Sequence, residues 1–345
     1  MSPKRVFVAM SGGVDSSITA ALLKQAGYEV SGVHMELWLD PDREQTISDL
    51  ARTCQILGIP LHRLNFEAEF QNLVIDYFCS EYRRGRTPNP CVTCNQRIKF
   101  GLLFDRVLEM GADYLATGHY ARLEHSPDGY QLLKAVDLTK DQSYFLCTLG
   151  QNELQRLRLP LGNRRKVEVR ALAAKLALPA STRRDSRDVC FIAGNDYRSF
   201  VAGRVPLESG DIIDTEGKVL GRHGGLAQYT VGQRHGLRLA SGKRLYVIRL
   251  EPVDNRLVVG TEDQLLSDAL VASQLSWVSG KPPAGPVTVA AKIRYKSPEA
   301  AATVHFNNGA VKVRFHEPQR AIAPGQAVVF YQGGVVLGGG IIEKN

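Results

Sequence analysis

Apolar and polar positions change rhythm once along the 345 residues. Up to about residue 195, short apolar runs alternate with amphipathic stretches. The runs predict strands at 5–10, 29–37, 61–66 and 113–117. The stretches predict helices at 16–26, 44–57, 67–83, 97–110, 151–158 and 167–177. Such alternation implies a parallel sheet covered on both faces, with any nucleotide at the carboxyl ends of the strands. Beyond residue 205 the runs are shorter and punctuated by glycine, as at 210–214, 218–221, 246–248 and 256–260, which reads as strands with tight turns. A proline-rich break at 281–286 precedes further runs at 287–295, 303–306, 311–315, 327–331 and 335–337, which read as a small antiparallel barrel. Alternation would place Lys292, Arg294 and Lys296 on one face of a strand. The expected organisation is an α/β domain over 1–195, a small β-rich domain over 196–268 and a β-barrel over 269–345.

Composition narrows the class. Apolar content of 44% and charged content of 23% are those of a globular chain, and no apolar run is long enough to cross a bilayer. The start, Met-Ser-Pro-Lys-Arg, leads straight into the first strand without the pattern of a signal peptide. A cytoplasmic protein is expected. Net charge is +8, unevenly spread: residues 1–80 carry 6 Lys/Arg against 10 Asp/Glu, whereas 151–190 carry 10 against 4. A basic surface confined to part of a chain points to a polyanion such as nucleic acid, or to an ordinary solvated face.

The most informative segment is Met10-Ser11-Gly12-Gly13-Val14-Asp15-Ser16-Ser17. It joins the first expected strand to the first expected helix. Backbone N–H groups in such a turn, with the helix dipole behind them, form an anion cradle. Ser11, Ser16 and Ser17 add hydroxyls, and Asp15 is a candidate ligand for a magnesium ion on the phosphates. No Gly-Lys-Ser/Thr follows, so this is not the Walker loop. It resembles the SGGxDS loop of the ATP pyrophosphatase (PP-loop) family, which cleaves ATP to AMP and pyrophosphate and adenylates a substrate oxygen. Met35, near the end of the second strand, is placed either to pack on an adenine or to fill the core.

Six cysteines in such a chain are not a disulfide framework. Cys54, Cys79 and Cys147 have apolar neighbours and read as buried hydrophobes. Cys91 and Cys94 follow Thr87-Pro88-Asn89-Pro90, a proline-stiffened loop ahead of a helix expected to begin near Arg97. Cys94 near that helix start, with Arg97 and Lys99, should have a lowered pKa, and so should Cys190 beside Arg183, Arg184 and Arg187. A structural zinc site lacks its further ligands, and the Pro-Asn-Pro lead-in does not suggest a thioredoxin motif. A structural pair and sulfur chemistry shared by Cys94 and Cys190 stay open.

Over essentially its whole length the chain resembles the bacterial and organellar tRNA-specific 2-thiouridylases. The matching segments are 11–16, 87–90 with Cys94-Asn95, 98–100, Ala116-Thr117-Gly118-His119-Tyr120, Lys140-Asp141-Gln142-Ser143-Tyr144-Phe145-Leu146, Asp188-Val189-Cys190-Phe191-Ile192, Thr230-Val231-Gly232-Gln233-Arg234 and 337–342. The resemblance implies a PP-loop domain, a small central β domain and a C-terminal β-barrel that contacts tRNA. It implies that ATP adenylates the C2 oxygen of the wobble uridine, and that sulfur carried as a persulfide on Cys190 displaces AMP, with Cys94 as nucleophile. Adenylation turns a poor leaving group into a good one. A sulfur-donor protein, such as a cysteine desulfurase or a relay carrier, would load Cys190.

Carried over residue by residue, Ala9, Met10, Ser11, Gly12, Gly13, Val14, Asp15 and Ser16 would cradle the phosphates, Met35 would touch adenine and Gly118 would line the pocket. Asn89, Pro90 and Cys91 would lie beside the target base. His119, Lys140, Asp141, Gln142, Arg294, Tyr295 and Gln326 would be tRNA contacts, in the anticodon loop of wobble-uridine tRNAs. One departure matters: many members carry aspartate where this chain has Cys91. That puts a carboxylate proton relay in doubt and opens an alternative, a 4Fe–4S cluster held by Cys91, Cys94 and Cys190. A PP-loop ligase or amidotransferase acting on a small molecule, and a non-catalytic RNA-binding module, are the remaining alternatives.

Overall fold

The computed structural model describes residues 3–38, 43–182, 189–192, 194, 196–239, 242–307 and 309–343. Strands β1 (Arg5–Ala9), β2 (Glu29–Glu36), β3 (Leu61–Asn65) and β4 (Tyr114–Ala116) lie in one parallel sheet, in the order β3-β2-β1-β4, extended by a later two-residue strand described below. Val6, Val8, Val33, Leu115 and Ala116 are wholly buried, as a parallel sheet sandwiched by helices requires. Helix Val14–Gln25 follows β1 and helix Arg43–Leu57 follows β2. A longer helix, 67–83, contains a π-helical stretch at Gln71–Ile75.

Four expectations are corrected. The helix expected from residue 97 begins at Pro90 and runs to 109, with a π-helical stretch over Asn95–Leu102. Asn89 caps it: its side-chain oxygen accepts from the Cys91 and Val92 N–H groups at 3.2 and 3.3 Å, and Pro90 needs no partner at the first helical position. Residues 121–134, not assigned from the sequence, form a hairpin of β5 (Ala121–Ser126) and β6 (Gly129–Lys134). The stretch 151–158 is a short helix, Gln151–Leu154, followed by β7 (Leu157–Arg158), which joins the parallel sheet beside β4. Tertiary pairing overrides helix propensity there. Helix Lys166–Lys175 then packs against Val14–Gln25 through Val169 and Ala173.

A second sheet has the order β10-β11-β8-β9, with β8 (Gly210–Ile213), β9 (Val219–His223), β10 (Tyr246–Glu251) and β11 (Arg256–Gly260). A closed antiparallel barrel follows, made of β12 (Leu266–Trp277), β13 (Val287–Lys292), β14 (Ala300–Asn307), β15 (Ala310–Arg320), β16 (Ala327–Gln332) and β17 (Val335–Ile342). Its order is β12-β15-β14-β13-β16-β17, and β12 pairs with β17 to close it. The long strand β12 was not read from the sequence. The fourth correction is β13, which ends at Lys292. Residues 293–297 form a turn pinned by Arg294 N–H to Ser297 Oγ at 3.1 Å, so Arg294 does not share a strand face with Lys292.

The barrel is not a free appendage. Val335 and Val336 of β17 pair with Leu133 and Leu132 of β6. Phe7, Leu115 and Leu132 of the α/β part share one buried cluster with Ala327, Val329, Tyr331 and Val336 of the barrel. Burying a side chain such as Phe7, Leu115, Leu132, Val329 or Val336 contributes ~1.5–3 kcal/mol, so the two units are joined by core rather than by a linker alone.

Candidate functional site

The 11–16 turn sits at the carboxyl end of β1. Gly12 has φ of 79°, a left-handed conformation that glycine adopts without strain. Gly13 is the N-cap of helix Val14–Gln25, and it brings no side chain between the first-turn N–H groups and a ligand. The serines brace the turn: Ser16 Oγ and Ser17 Oγ donate to Gly13 O at 3.1 and 3.0 Å, and Ser11 N–H donates to Ser16 Oγ at 3.2 Å. From the end of β4, Gly118 closes on this turn. A Cβ there would lie 2.9 Å from Asp15 C and Ser16 N, both backbone atoms, so no larger residue fits without moving the turn.

Asp15 is held by two side chains. Lys166 Nζ donates to its two carboxylate oxygens at 2.8 and 2.7 Å, and Tyr120 Oη donates to Oδ1 at 2.8 Å. Asp15, expected to hold magnesium, is paired here with Lys166 and Tyr120. Met35 is half-buried and packs on two apolar clusters, the one under the sheet and the one containing Cys94. It therefore touches the apolar cluster that holds Cys94.

Cys94 is buried in the second turn of helix 90–109, in a cluster with Phe70, Phe78 and Ile192. Phe191, next to Cys190, packs on Phe70, Phe78 and Phe200 with ring centres 5.2–5.7 Å apart. The same apolar cluster thus anchors both cysteine segments. Cys190 keeps solvent access although protein surrounds most of its thiol. Burial pushes the Cys190 thiol up to about 12, with Cys94 and Cys91 near enough to raise it further. Burial pushes Cys94 up to about 11, and it also raises Cys91. Lys99 pulls against burial at each of these thiols without winning. The expected lowering at Cys94 and Cys190 is therefore reversed, because Cys94 lies inside the helix rather than at its start and desolvation disfavours the thiolate. Arg183, Arg184 and Arg187, the cations expected to act on Cys190, lie outside the described residues, as does Asp188. Cys54, Cys79 and Cys147 are buried, as their apolar neighbours suggested. Among the described residues, no group of three or more His, Cys, Asp or Glu side chains is arranged around a single metal ion.

The residues expected to meet tRNA divide. Tyr295 is half-buried on the turn after β13, with its ring 4.3 Å from that of Phe145 and near enough to Cys91 for the two to influence each other's ionisation. The barrel therefore borders the cysteine site. Asp141 is buried, accepting from Ala135 N–H at 2.9 Å and Ser143 Oγ at 2.7 Å. His119 is also buried, with Nδ1 2.8 Å from Thr117 Oγ1, and desolvation holds its pKa well below 6.5. Gln142 accepts from Tyr120 N–H at 2.9 Å, and the Lys140 N–H is held by Asp137 O at 3.0 Å. Arg294 Nη2 donates to Val231 O and Ala321 O, and Gln326 Nε2 donates to Thr87 O at 2.7 Å. Both thus brace chain segments against the barrel, and Gln326 steadies the lead-in to Asn89 and Pro90.

Sequence reading missed three participants. Lys166 lay in the basic stretch taken as a polyanion surface, Tyr120 was only a letter in a motif, and Lys99 was named only as a neighbour of Cys94. Asn95 is a fourth: its Nδ2 donates to Phe145 O at 3.2 Å while Oδ1 is buried without a partner. A π-helical stretch directly after a cysteine is a common mark of a functional segment, but its wider turn is invisible in a sequence.

A parallel-sheet domain with a glycine-rich nucleotide-type turn, a small second β domain and a closed barrel define a three-part enzyme class. The corresponding family models match in order: the tRNA methyl transferase HUP domain at residues 4–194, the tRNA methyl transferase PRC-barrel domain at 198–261 and the aminomethyltransferase beta-barrel domain at 267–342. The tRNA-specific 2-thiouridylase MnmA of Moorella thermoacetica is 47% identical over 98% of this chain and 99% of its own length. That of Geobacter metallireducens is 47% identical over 99% and 97%, and MnmA 1 of Caldanaerobacter subterraneus subsp. tengcongensis is 46% identical over 99% and 98%. The chain belongs to the tRNA-specific 2-thiouridylase family. A slighter likeness, with a TM-score of 0.39 and 20% identity over 59% of this chain and 65% of the other, is to the U34-tRNA thiolase NcsA from Methanococcus maripaludis with its [4Fe-4S] cluster.

Proposed function

We propose that this chain carries out the ATP-dependent 2-thiolation of the wobble uridine of tRNA. The convergence of the Cys94 and Cys190 segments on one apolar cluster, against which Met35 also packs, carries this reading. ATP binds at residues 9–16 with Met35 and Gly118 around the nucleoside, and magnesium travels on its phosphates. The uridine C2 oxygen attacks the α-phosphorus and pyrophosphate leaves. The terminal sulfur of a Cys190 persulfide then attacks C2, and the oxygen departs with AMP. Cys94 attacks Cys190 Sγ, which frees the thiouridine sulfur and leaves a Cys94–Cys190 disulfide that a thiol reductant resets. Resting thiols held protonated by burial suit this order, because sulfur is delivered as a persulfide rather than by the unloaded thiols.

A sulfur-donor protein, a cysteine desulfurase or relay carrier, loads Cys190, whose solvent access allows it. Tyr295 beside Cys91 suits stacking on a splayed base. No helix among the described residues is long and apolar enough to cross a membrane, and a cytoplasmic location belongs to the proposal. The test is pyrophosphate release from ATP with and without tRNA, read alongside 2-thiouridine formation. A small-molecule ligase would ignore the tRNA, and an RNA-binding module would release nothing.

A second reading keeps the reaction and changes the sulfur carrier. Cys91 and Cys94 lie near enough to Cys190 to raise its thiol pKa, and the three are of the donor type a 4Fe–4S cluster takes, although they are not gathered around a single metal position. Such a cluster would supply a site for the sulfide to be transferred. Anaerobic reconstitution with iron and sulfide, followed by an absorption spectrum, separates the two readings. Activity retained in Cys91→Asp would favour the persulfide.

A further inference from the structure

The 11–16 turn lacks the lysine of a Walker loop, yet a lysine reaches it from 151 positions along the chain. Lys166 is only 8% exposed and lies with both carboxylate oxygens of Asp15 in reach. Lysine is rarely so buried unless paired. Its place is built by several contacts. Lys166 N–H donates to Asp137 Oδ2 at 3.0 Å, Arg165 N–H donates to Glu168 Oε2 at 2.6 Å, and the helix that Lys166 opens packs on Val14–Gln25. Tyr120 Oη fixes the same carboxylate from the β4 side, and Lys166 Nζ lies 5.6 Å from the Tyr120 ring centre. Asp15 stands in the first turn of a helix whose N-terminus is offered to phosphate. Alone, that carboxylate would repel the anion the turn is shaped to hold.

We propose that Lys166 is a positioning residue for ATP: its ammonium neutralises Asp15 and holds the 11–16 turn in a form that accepts the triphosphate, so that Asp15's partner in the nucleotide complex is Lys166 and not magnesium. This rests on the reading that residues 9–16 hold ATP. The Asp15–Lys166 pair takes the charge out of the carboxylate while leaving its geometry to shape the turn.

The experiment uses the full-length protein and two readouts, MgATP affinity by calorimetry and the kinetics of tRNA-dependent pyrophosphate release. Lys166→Met should weaken MgATP binding and raise the KM for ATP by at least about tenfold, the scale of an unrelieved like-charge contact, while kcat stays within about threefold. Lys166→Arg should recover most of the affinity. Adenosine, which carries no phosphate, should bind Lys166→Met and wild type within about twofold. Equal loss for adenosine and MgATP would reduce Lys166 to a structural support and overturn the proposal. Unchanged or tighter MgATP binding in Lys166→Met would also overturn it, because the freed carboxylate would then be serving the metal. Should Lys166→Met fail to fold, Lys166→Gln and Lys166→Arg carry the same comparison. A wild type that binds no ATP overturns the nucleotide reading itself, whereas a wild type that binds and a Lys166→Met that binds equally overturns the Lys166 inference alone.

Discussion

The nucleotide turn and the cysteine site make a contrast. The turn is nearly complete within residues 9–17: its glycine conformation, serine braces and helix start are all local, and distant residues add Gly118, Tyr120 and Lys166. The cysteine site has no such local unit. It joins helix 90–109, the 189–192 segment and a turn of the barrel, with apolar packing as the common support. The turn's polar groups are paired and its carboxylate is neutralised, whereas the thiols are held protonated by burial against the pull of Lys99. A preformed turn is therefore joined to a group of thiols that burial holds toward their protonated form. The difference suits an ordered reaction, in which activation of the oxygen precedes delivery of sulfur.

The largest break in the comparison is Cys190→Ser. It should abolish 2-thiouridine formation, measured by mass spectrometry of digested tRNA, while tRNA affinity stays within about twofold, because the side chain carries sulfur rather than binding energy. A parallel loss of affinity would assign Cys190 to RNA recognition instead. Gly118→Ala should strike the other region. Its Cβ would press on the backbone between Asp15 and Ser16, and tRNA-dependent pyrophosphate release should fall about a hundredfold, the scale of a small misplacement at a reacting site. Cysteine alkylation in that variant should match wild type, and altered alkylation would mean that the two regions are mechanically coupled.

A smaller effect sharpens the ionisation contrast. With burial pushing Cys190 up to about 12, its alkylation by iodoacetamide should keep rising as pH increases through 9, followed by peptide mass spectrometry. A plateau below pH 8 would mean that the thiolate is stabilised after all. The smallest effect concerns His119. Its folded pKa lies well below 6.5, so below 6.5 the unfolded chain binds the extra proton and the folded one does not. The stability present above that pH is therefore lost as pH falls. The loss should grow as pH falls below 6.5, and His119→Asn should flatten that part of a melting-temperature profile. An unchanged slope would place the acid sensitivity elsewhere.

The first two strands, the helices after them and the later β-rich region were legible because each rests on short-range periodicity and turn residues. The 11–16 turn was legible for the same reason, since its conformation follows from two glycines between a strand and a helix. The short strand β7 was hidden inside an apparent helix, because its only support is pairing with β4. Arg294 and Gln326 were expected to meet RNA because arginine and glutamine suit that work; that the fold also gives Arg294 Nη2 and Gln326 Nε2 to backbone carbonyls was not legible.

By itself, then, the sequence determined the alternation that builds a parallel sheet, the barrel that follows it and the glycine-rich turn between the first strand and helix. Only the tertiary structure decided that Lys166 meets Asp15, that one apolar cluster anchors the segments of Cys94 and Cys190, and that burial raises both thiols. Local conformation is governed by neighbours a few residues away, whereas a charge pair across 151 positions and the desolvation of a thiol exist only once distant segments have packed.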